Sequence, residues 1–251
     1  RMSTGASFGF TNTLLEIINK EKPTHLAVAF DTAAPTFRHE SFEAYKAQRQ
    51  EQPEDITINI PYIKKIIRAF QIPILEMDGF EADDVIGTVA KKLGSPDFKV
   101  YMMTSDKDYC QLVTENVFVY RPAFMGKGPE VYDIPKVLEK FQIKYVDQVR
   151  DILGLQGDSV DNIPGIPGIG EKTAVKLIAE FETVENLIAN ADKLSGKLKE
   201  NVVNFAQQGL QSKELATIHC EVPVTFDADF LIYKGIDKDA LGPLLDELEF
   251  R

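Results

Sequence analysis

Short apolar runs alternate with amphipathic stretches through the first half of this chain, and that alternation restricts its fold more than any other feature. The runs are HLAVAFD, IPILEM, FKVYMMTSD and NVFVYRP. A run without polar alternation has to be covered on both faces, as strands of a parallel sheet are. Before the first run, Phe10, Leu14, Ile17 and Ile18 fall at helical spacing, as do Ile56, Ile60, Ile63, Ile67 and Phe70 between the first and second. The segment EADDVIGTVAKKL has acids in its first turn and lysines in its last, which suits the helix dipole. KDYCQLV reads as a helix start and EVYDI as an edge strand. The fold class is therefore α/β, with a mostly parallel central sheet flanked by helices. From Pro135 the pattern turns helical, through PKVLEKF, VDQVRDILGL, EKTAVKLIAEF, VENLIANA and KLKENVVNFAQQGLQSKELATI. This divides the chain into an α/β domain over 1–134 and an α-helical subdomain over 135–251.

The 251 residues suffice for one large domain or two unequal ones. No apolar run is long enough to span a bilayer, and no secretory signal opens the chain. The two cysteines, Cys110 and Cys220, match no metal spacing and read as buried thiols in a reducing compartment. The net charge of -11 taken alone argues against a nucleic-acid partner.

Eight of the acids, however, fall in clusters at the ends of apolar runs or the starts of helical ones. They are Asp31 closing HLAVAFD, Glu81, Asp83 and Asp84 in GFEADDVIG, Asp106 and Asp108 in TSDKD, and Asp158 and Asp161 in GDSVDN. Setting them aside leaves a charge of about -3, so local basic patches can still bind a polyanion. Carboxylates that converge repel one another unless cations lie between them. Their joint placement therefore predicts divalent metal, and with it phosphate chemistry. Each cluster also has a plainer reading. FEADD can cap a helix, and GDSVDN can be a polar loop.

Two further segments concern nucleic acid. In IPGIPGIGEKTAVKLI, Gly165, Gly168 and Gly170 alternate with apolar residues before a helix that starts at Glu171. Glycines permit tight turns, and the free N–H groups of a helix start can grip a phosphate. With Lys172 and Thr173 adding contacts and VDQVRDILGL as first helix, this is the pattern of a helix-hairpin-helix, which holds a duplex backbone without reading its sequence. The alternative is an ordinary helix–helix turn. The segment from Pro35 to Pro53 is a mobile, partly helical basic excursion by its composition. Its Arg38, Lys46 and Arg49 could clamp phosphates, and Phe37, Phe42 and Tyr45 could stack on unpaired bases. A solvated amphipathic helix explains it equally well. His25, His39 and His219 are scattered and take no catalytic role.

Taken together and in order, AFDTAAPTFRHESFEAYKAQR, GFEADDVIGTVA, TSDKDYCQLV and GDSVDNIPGIPGIGEKTA resemble the flap endonuclease family, in the form of the 5′-nuclease domain of bacterial DNA polymerase I. The resemblance covers nearly the whole chain. It implies a PIN-like α/β nuclease domain with a helical arch over about 35–53 and a helix-hairpin-helix subdomain. It implies structure-specific 5′→3′ exonuclease and 5′-flap endonuclease activity on DNA, in RNA primer removal and repair. Asp31, Glu81, Asp83, Asp84, Asp106, Asp108, Asp158 and Asp161 would hold two Mg²⁺ or Mn²⁺ ions. Arg38, Lys46 and Arg49 would be catalytic residues of the arch, and Gly165, Gly168, Gly170, Lys172 and Thr173 would bind the duplex, with K⁺ at the hairpin. A cytoplasmic, nucleoid-associated monomer fused to a polymerase domain is further implied, with no membrane partner. One departure stands out. The family begins with a strand that bears another metal-binding aspartate, whereas this chain opens at RMSTGASFGFTNTLLEII. Weak metal binding and impaired activity are the expectation, with a non-catalytic structure-specific DNA-binding module as the alternative.

Overall fold

The computed structural model describes residues 4–250; positions 1–3, where the polar opening loop was expected to begin, and position 251 lie outside the described residues. In chain order the elements are α1 (Gly5–Glu21), β1 (Val28–Ala29), α2 (Phe37–Ser41), α3 (Glu54–Ala69), β2 (Ile74–Leu75), α4 (Ala82–Leu93), β3 (Val100–Met103), β4 (Val117–Arg121) and β5 (Glu130–Tyr132). Then follow α5 (Ile134–Phe141), α6 (Val149–Gln156), α7 (Glu171–Phe181), α8 (Val184–Ala189), α9 (Gly196–Asn204), α10 (Ala206–Ala216) and α11 (Lys238–Glu247). Two compact units form, and they are interleaved rather than sequential. The first comprises Arg1–Ala33, Gln50–Val85 and Pro223–Arg251; the second comprises Ala34–Arg49 and Ile86–Val222.

In the first unit, β1 and β2 pair in parallel with Val28 opposite Ile74 and Ala29 opposite Leu75. Helix α3 turns Ile63, Ile66 and Ile67 onto α1 and α11, where they meet Leu14, Phe70, Ile72, Leu241 and Leu248. Ile66, Ile67 and Phe70 are fully buried, and burial of such side chains stabilises by about 1.5–3 kcal/mol each.

The second unit holds a three-stranded sheet in the order β3-β4-β5, parallel between β3 and β4 and antiparallel between β4 and β5. Its inward residues Met102, Val117, Val119 and Tyr132 join a core continued by Val149, Ile152, Leu153 and Leu155 of α6 and by Ile166, Ala174 and Ile178. Helices α6 and α10 pack closely at Gly154, where a Cβ would stand 2.7 Å from the Lys213 Cα. Asp151 of α6 is buried, and it accepts from the Val184 amide at 2.9 Å and pairs with Lys213 at 2.7 Å, so α6, α8 and α10 are tied by one carboxylate.

Several elements differ from the sequence expectation. The apolar runs expected in one central sheet lie in two described sheets, one in each unit. KDYCQLV forms a 3-10 helix over Lys107–Leu112, with Asp106 capping it by accepting from the Asp108 amide. The long helix expected after Lys197 breaks at Phe205 into α9 and α10. Cys110 is buried, with burial pushing its thiol up to about 11, but Cys220 is only half-buried. Among the described residues no helix is long and apolar enough to cross a membrane.

Candidate active site and nucleic-acid interface

The acids of the first unit gather at the start of α4. Asp31 follows β1, and its Oδ1 accepts from the Ala82 amide at 2.7 Å. Asp84 Oδ2 accepts from the Glu81 amide at 3.0 Å. Unsatisfied N–H groups and the positive end of the helix dipole favour carboxylates here. The capping reading of FEADD is thus realised. Even so, Asp84 is fully buried and Glu81 nearly so, and Asp83 lies half-buried between them in sequence.

The acids of the second unit converge more closely in their electrostatics. Asp106 and Asp108 sit where β3 runs into the 3-10 helix, and the Thr104 hydroxyl accepts from the Asp106 amide at 3.0 Å. Asp158 and Asp161 come from a tight loop. It is closed by reciprocal bonds between Asp158 and Ile163 at 2.9 and 2.7 Å, and Asp158 Oδ1 accepts from the Val160 amide at 2.7 Å. Burial, followed by the charges of Asp106 and Asp158, pushes the Asp108 carboxyl up to about 7; Asp161 adds to the rise and Lys107 opposes it. Asp108 Oδ1 is buried and has no hydrogen-bond partner.

The segment from Ala34 to Arg49 lies against these residues rather than standing away from them. The Lys46 amide donates to the Asp161 carbonyl at 2.9 Å, Asn162 Nδ2 donates to the Ala44 carbonyl at 2.6 Å, and Arg49 Nη2 lies 3.7 Å from Asp161 Oδ1. Lys46 and Arg49 are therefore brought to the acidic loop. Arg38 is 3 % exposed, and its guanidinium donates to the carbonyls of Leu215 at 3.0 Å and Thr217 at 2.8 Å. It caps the open carbonyls at the end of α10, which attract cations. Tyr45 is buried in the core and Phe42 packs on it, so these two rings are not laid open for base stacking here.

The glycine segment forms the expected hairpin between α6 and α7. Gly165 adopts a φ of +63°, and a Cβ there would lie 2.6 Å from the Gly157 nitrogen and 2.7 Å from the Leu155 carbonyl oxygen. Gly165 is buried, and Ile166 and Ile169 anchor the hairpin inward. Gly168, Gly170 and Lys172 are exposed and Thr173 is half-buried. Gly170 offers no capping side chain, so the first N–H groups of α7 face outward uncapped by it. Three residues that the sequence reading passed over hold the hairpin in place. Asn201 Nδ2 donates to the Pro167 carbonyl at 2.9 Å, Gln208 Nε2 to the Gly165 carbonyl at 2.9 Å, and Ser212 Oγ accepts from the Gly165 amide at 3.0 Å. Their only signal in the sequence is polarity on helix faces that otherwise read as apolar.

Among the described residues, no group of three or more His, Cys, Asp or Glu side chains is disposed to hold a metal ion. The surroundings of Asp108 still fit one. A buried anionic oxygen without a partner, set among like charges, is relieved by a hard cation that takes oxygen ligands.

Known proteins agree with this architecture. Residues 1–142 match the 5′-3′ exonuclease N-terminal resolvase-like domain, and residues 145–239 match the 5′-3′ exonuclease C-terminal SAM fold. DNA polymerase I of Bacillus caldotenax is 41% identical over 249 residues, which is 99% of this chain and 28% of that protein. The chain thus spans little more than a quarter of that relative. Among solved structures, the zinc-bound T5 5′-exonuclease superimposes with a TM-score of 0.71 at 23% identity, over 98% of this chain and 91% of the other. The bacteriophage T5 flap endonuclease in a pseudo-enzyme-product complex with DNA and metal ions gives 0.72 at 22%, over 97% and 91%. These likenesses show the shared fold. The two matched domains together run along nearly the entire sequence, and the chain belongs to the 5′-3′ exonuclease family.

Proposed function

We propose that this chain is a metal-dependent 5′→3′ exonuclease and 5′-flap endonuclease acting on DNA. The observation that carries the reading is Asp108: a carboxyl raised to about 7 by burial and by Asp106 and Asp158, with a buried oxygen that has no partner. Such a group is poised for a divalent cation and has no purpose as a solvated loop acid. Asp106, Asp108, Asp158 and Asp161, and in the first unit Asp31, Glu81, Asp83 and Asp84, are the candidate Mg²⁺ or Mn²⁺ ligands. Bound divalent ions would supply a nucleophilic hydroxide near neutral pH and stabilise the leaving oxygen.

The chain's own residues do the rest. Lys46 and Arg49, held beside the Asp158–Asp161 loop, meet charge on a phosphate. Arg38 anchors the basic segment, and a role at the phosphate requires its two carbonyl bonds to open. The hairpin offers backbone N–H groups and Lys172 to the duplex backbone, with K⁺ as an additional ligand of its carbonyls. Helices α5 to α10, all of the second unit, serve as the duplex-holding part of a monomer that works in the cytoplasm beside a polymerase domain.

A second reading, a non-catalytic structure-specific DNA-binding module, is favoured by the lack of a ready ligand group among the described residues. A labelled 5′-flap substrate with and without Mg²⁺ separates them. Mg²⁺-dependent release of the flap supports the enzyme. Tight binding with no cleavage at any Mg²⁺ or Mn²⁺ concentration leaves the binding module.

A further inference from the structure

Three cations converge on one tyrosine at the corner where β4, β5 and α5 meet. The Tyr132 ring has Lys136 Nζ at 4.8 Å from its centroid, Lys140 Nζ at 5.5 Å and Arg121 Cζ at 6.0 Å. Arg121 is placed by its register opposite Glu130 at the end of the β4–β5 ladder. Lys136 and Lys140 are four apart on α5 and so share a face. Tyr132 is 5 % exposed, so its ring is a fixed platform, whereas Arg121 and Lys136 keep 40% and 37% of their side-chain surface in water.

The charges in this corner do not balance. Glu130 meets Lys136 at 2.6 Å and Arg121 at 4.0 Å, and the Tyr132 hydroxyl donates to it at 3.3 Å. With Asp133, whose Oδ1 accepts from the Lys136 amide at 3.0 Å, two carboxylates stand against the three cations, in a chain whose overall charge is -11. Arg121 Nη1 donates to the Tyr132 hydroxyl at 3.3 Å and Lys136 pairs with Glu130, and the N–H groups left over on these two and on Lys140 can donate outward. A preset trio of donors with surplus positive charge is what a phosphate oxygen requires. The corner also lies next to the acids, since β4, which carries Arg121, packs on the 3-10 helix that carries Asp108.

We propose that Arg121, Lys136 and Lys140 form a phosphate-binding site for the backbone of a nucleic-acid strand whose end is engaged at the acidic cluster of the same unit. The site is separate from the hairpin and from the basic segment around Lys46. It rests on the nuclease reading for the source of its phosphate. A strand held here would be aligned by contacts to successive phosphates without any reading of bases.

The test uses the whole chain and a fluorescent 5′-flap duplex in chelator, with binding measured from about 50 to 200 mM salt. The triple variant Arg121→Gln, Lys136→Gln, Lys140→Gln is expected to bind roughly 10-fold more weakly and to lower the slope of log K against log salt by about 1–2. The double variant Lys136→Arg, Lys140→Arg keeps the charge and is expected to retain both affinity and slope, which a purely structural role for lysine would not predict. A wild type that binds flap DNA while the triple variant binds it equally, with the same slope, overturns this inference and leaves the nuclease reading standing. A wild type that binds no DNA overturns the nuclease reading and this site together. Competition with inorganic phosphate forms a further arm. If millimolar phosphate shifts the wild type's α5 amide resonances and DNA does not, the ligand is free phosphate and the assignment to a strand backbone fails.

Discussion

Asp108→Asn isolates the electrostatics of the acidic cluster from its catalysis. The folded carboxyl titrates at about 7 against an ordinary value of 3.8. Between those values the folded protein holds a proton that the unfolded chain does not, so protonation favours the folded state. The contribution is complete below pH 4 and is lost as pH rises through 7. A shift of this size corresponds to a ceiling of about 4 kcal/mol. Relaxation and coupling among the four carboxylates reduce it, and roughly 2–4 kcal/mol is the expected range. Asparagine has the same shape and no charge, and the Asp108 amide keeps its bond to Asp106 Oδ1. In chelator the variant should therefore be more stable than wild type by about that amount at pH 8, a rise of roughly 5–10 °C in melting temperature. At pH 5 the gap should shrink to roughly 1–2 kcal/mol, and it should close only below pH 4. Mg²⁺ should raise the wild type's melting temperature at pH 8 and do so less for the variant, because the cation relieves the same repulsion. Thermal melts at pH 5, 6, 7 and 8 with EDTA or Mg²⁺ provide the check. Equal stabilities at pH 8, or a gain that does not vary with pH, would refute the electrostatic account of this site.

Other substitutions test the hairpin and the basic segment. Asn201→Ala and Gln208→Ala each remove one hydrogen bond to a hairpin carbonyl, at a cost of about 1 kcal/mol in urea unfolding; duplex affinity should fall by a larger factor than stability implies, and a fall no greater than for an unrelated α9 surface variant would count against the clamp. Gly165→Ala combines a φ of +63° with a Cβ 2.6 Å from backbone and should destabilise by more than about 2 kcal/mol, whereas Gly170→Ala, with nothing within 4 Å, should cost under about 1 kcal/mol; similar melting temperatures for the two would show that the turn relaxes. Arg38→Met strips the cap from the Leu215 and Thr217 carbonyls and should lower stability by about 2–4 kcal/mol in urea melts, while a stable variant defective only in cleavage would return Arg38 to the catalytic set.

Much of the fold can be read from local pattern. The apolar runs around Val28, Ile74, Val100 and Val117 carry their strand character within a few residues, and the isoleucine spacing of α3 points to one buried face without knowledge of its partner. Phe205 shows where this stops: nothing in its neighbours signals that α9 ends and α10 begins there. The split of the strands between two sheets is equally invisible, since a strand's own residues do not name the strand it will pair with.

For the site, the sequence by itself determined the kinds of chemistry available: carboxylates at the ends of apolar runs, glycines before a helix start, and a basic segment between them. It did so because hydrophobic periodicity and turn-forming residues act over short separations. Only the tertiary structure decided which groups are used in which way. Arg38 belongs to a helix end 177 positions away, and the hairpin is held by residues 34 and 43 positions beyond the carbonyls they bind. The proton affinity of Asp108 depends on its burial and on charges brought from a distant loop. Desolvation and long-range Coulomb interaction exist only once the chain has folded, so no local reading could have ranked one acid above the other seven.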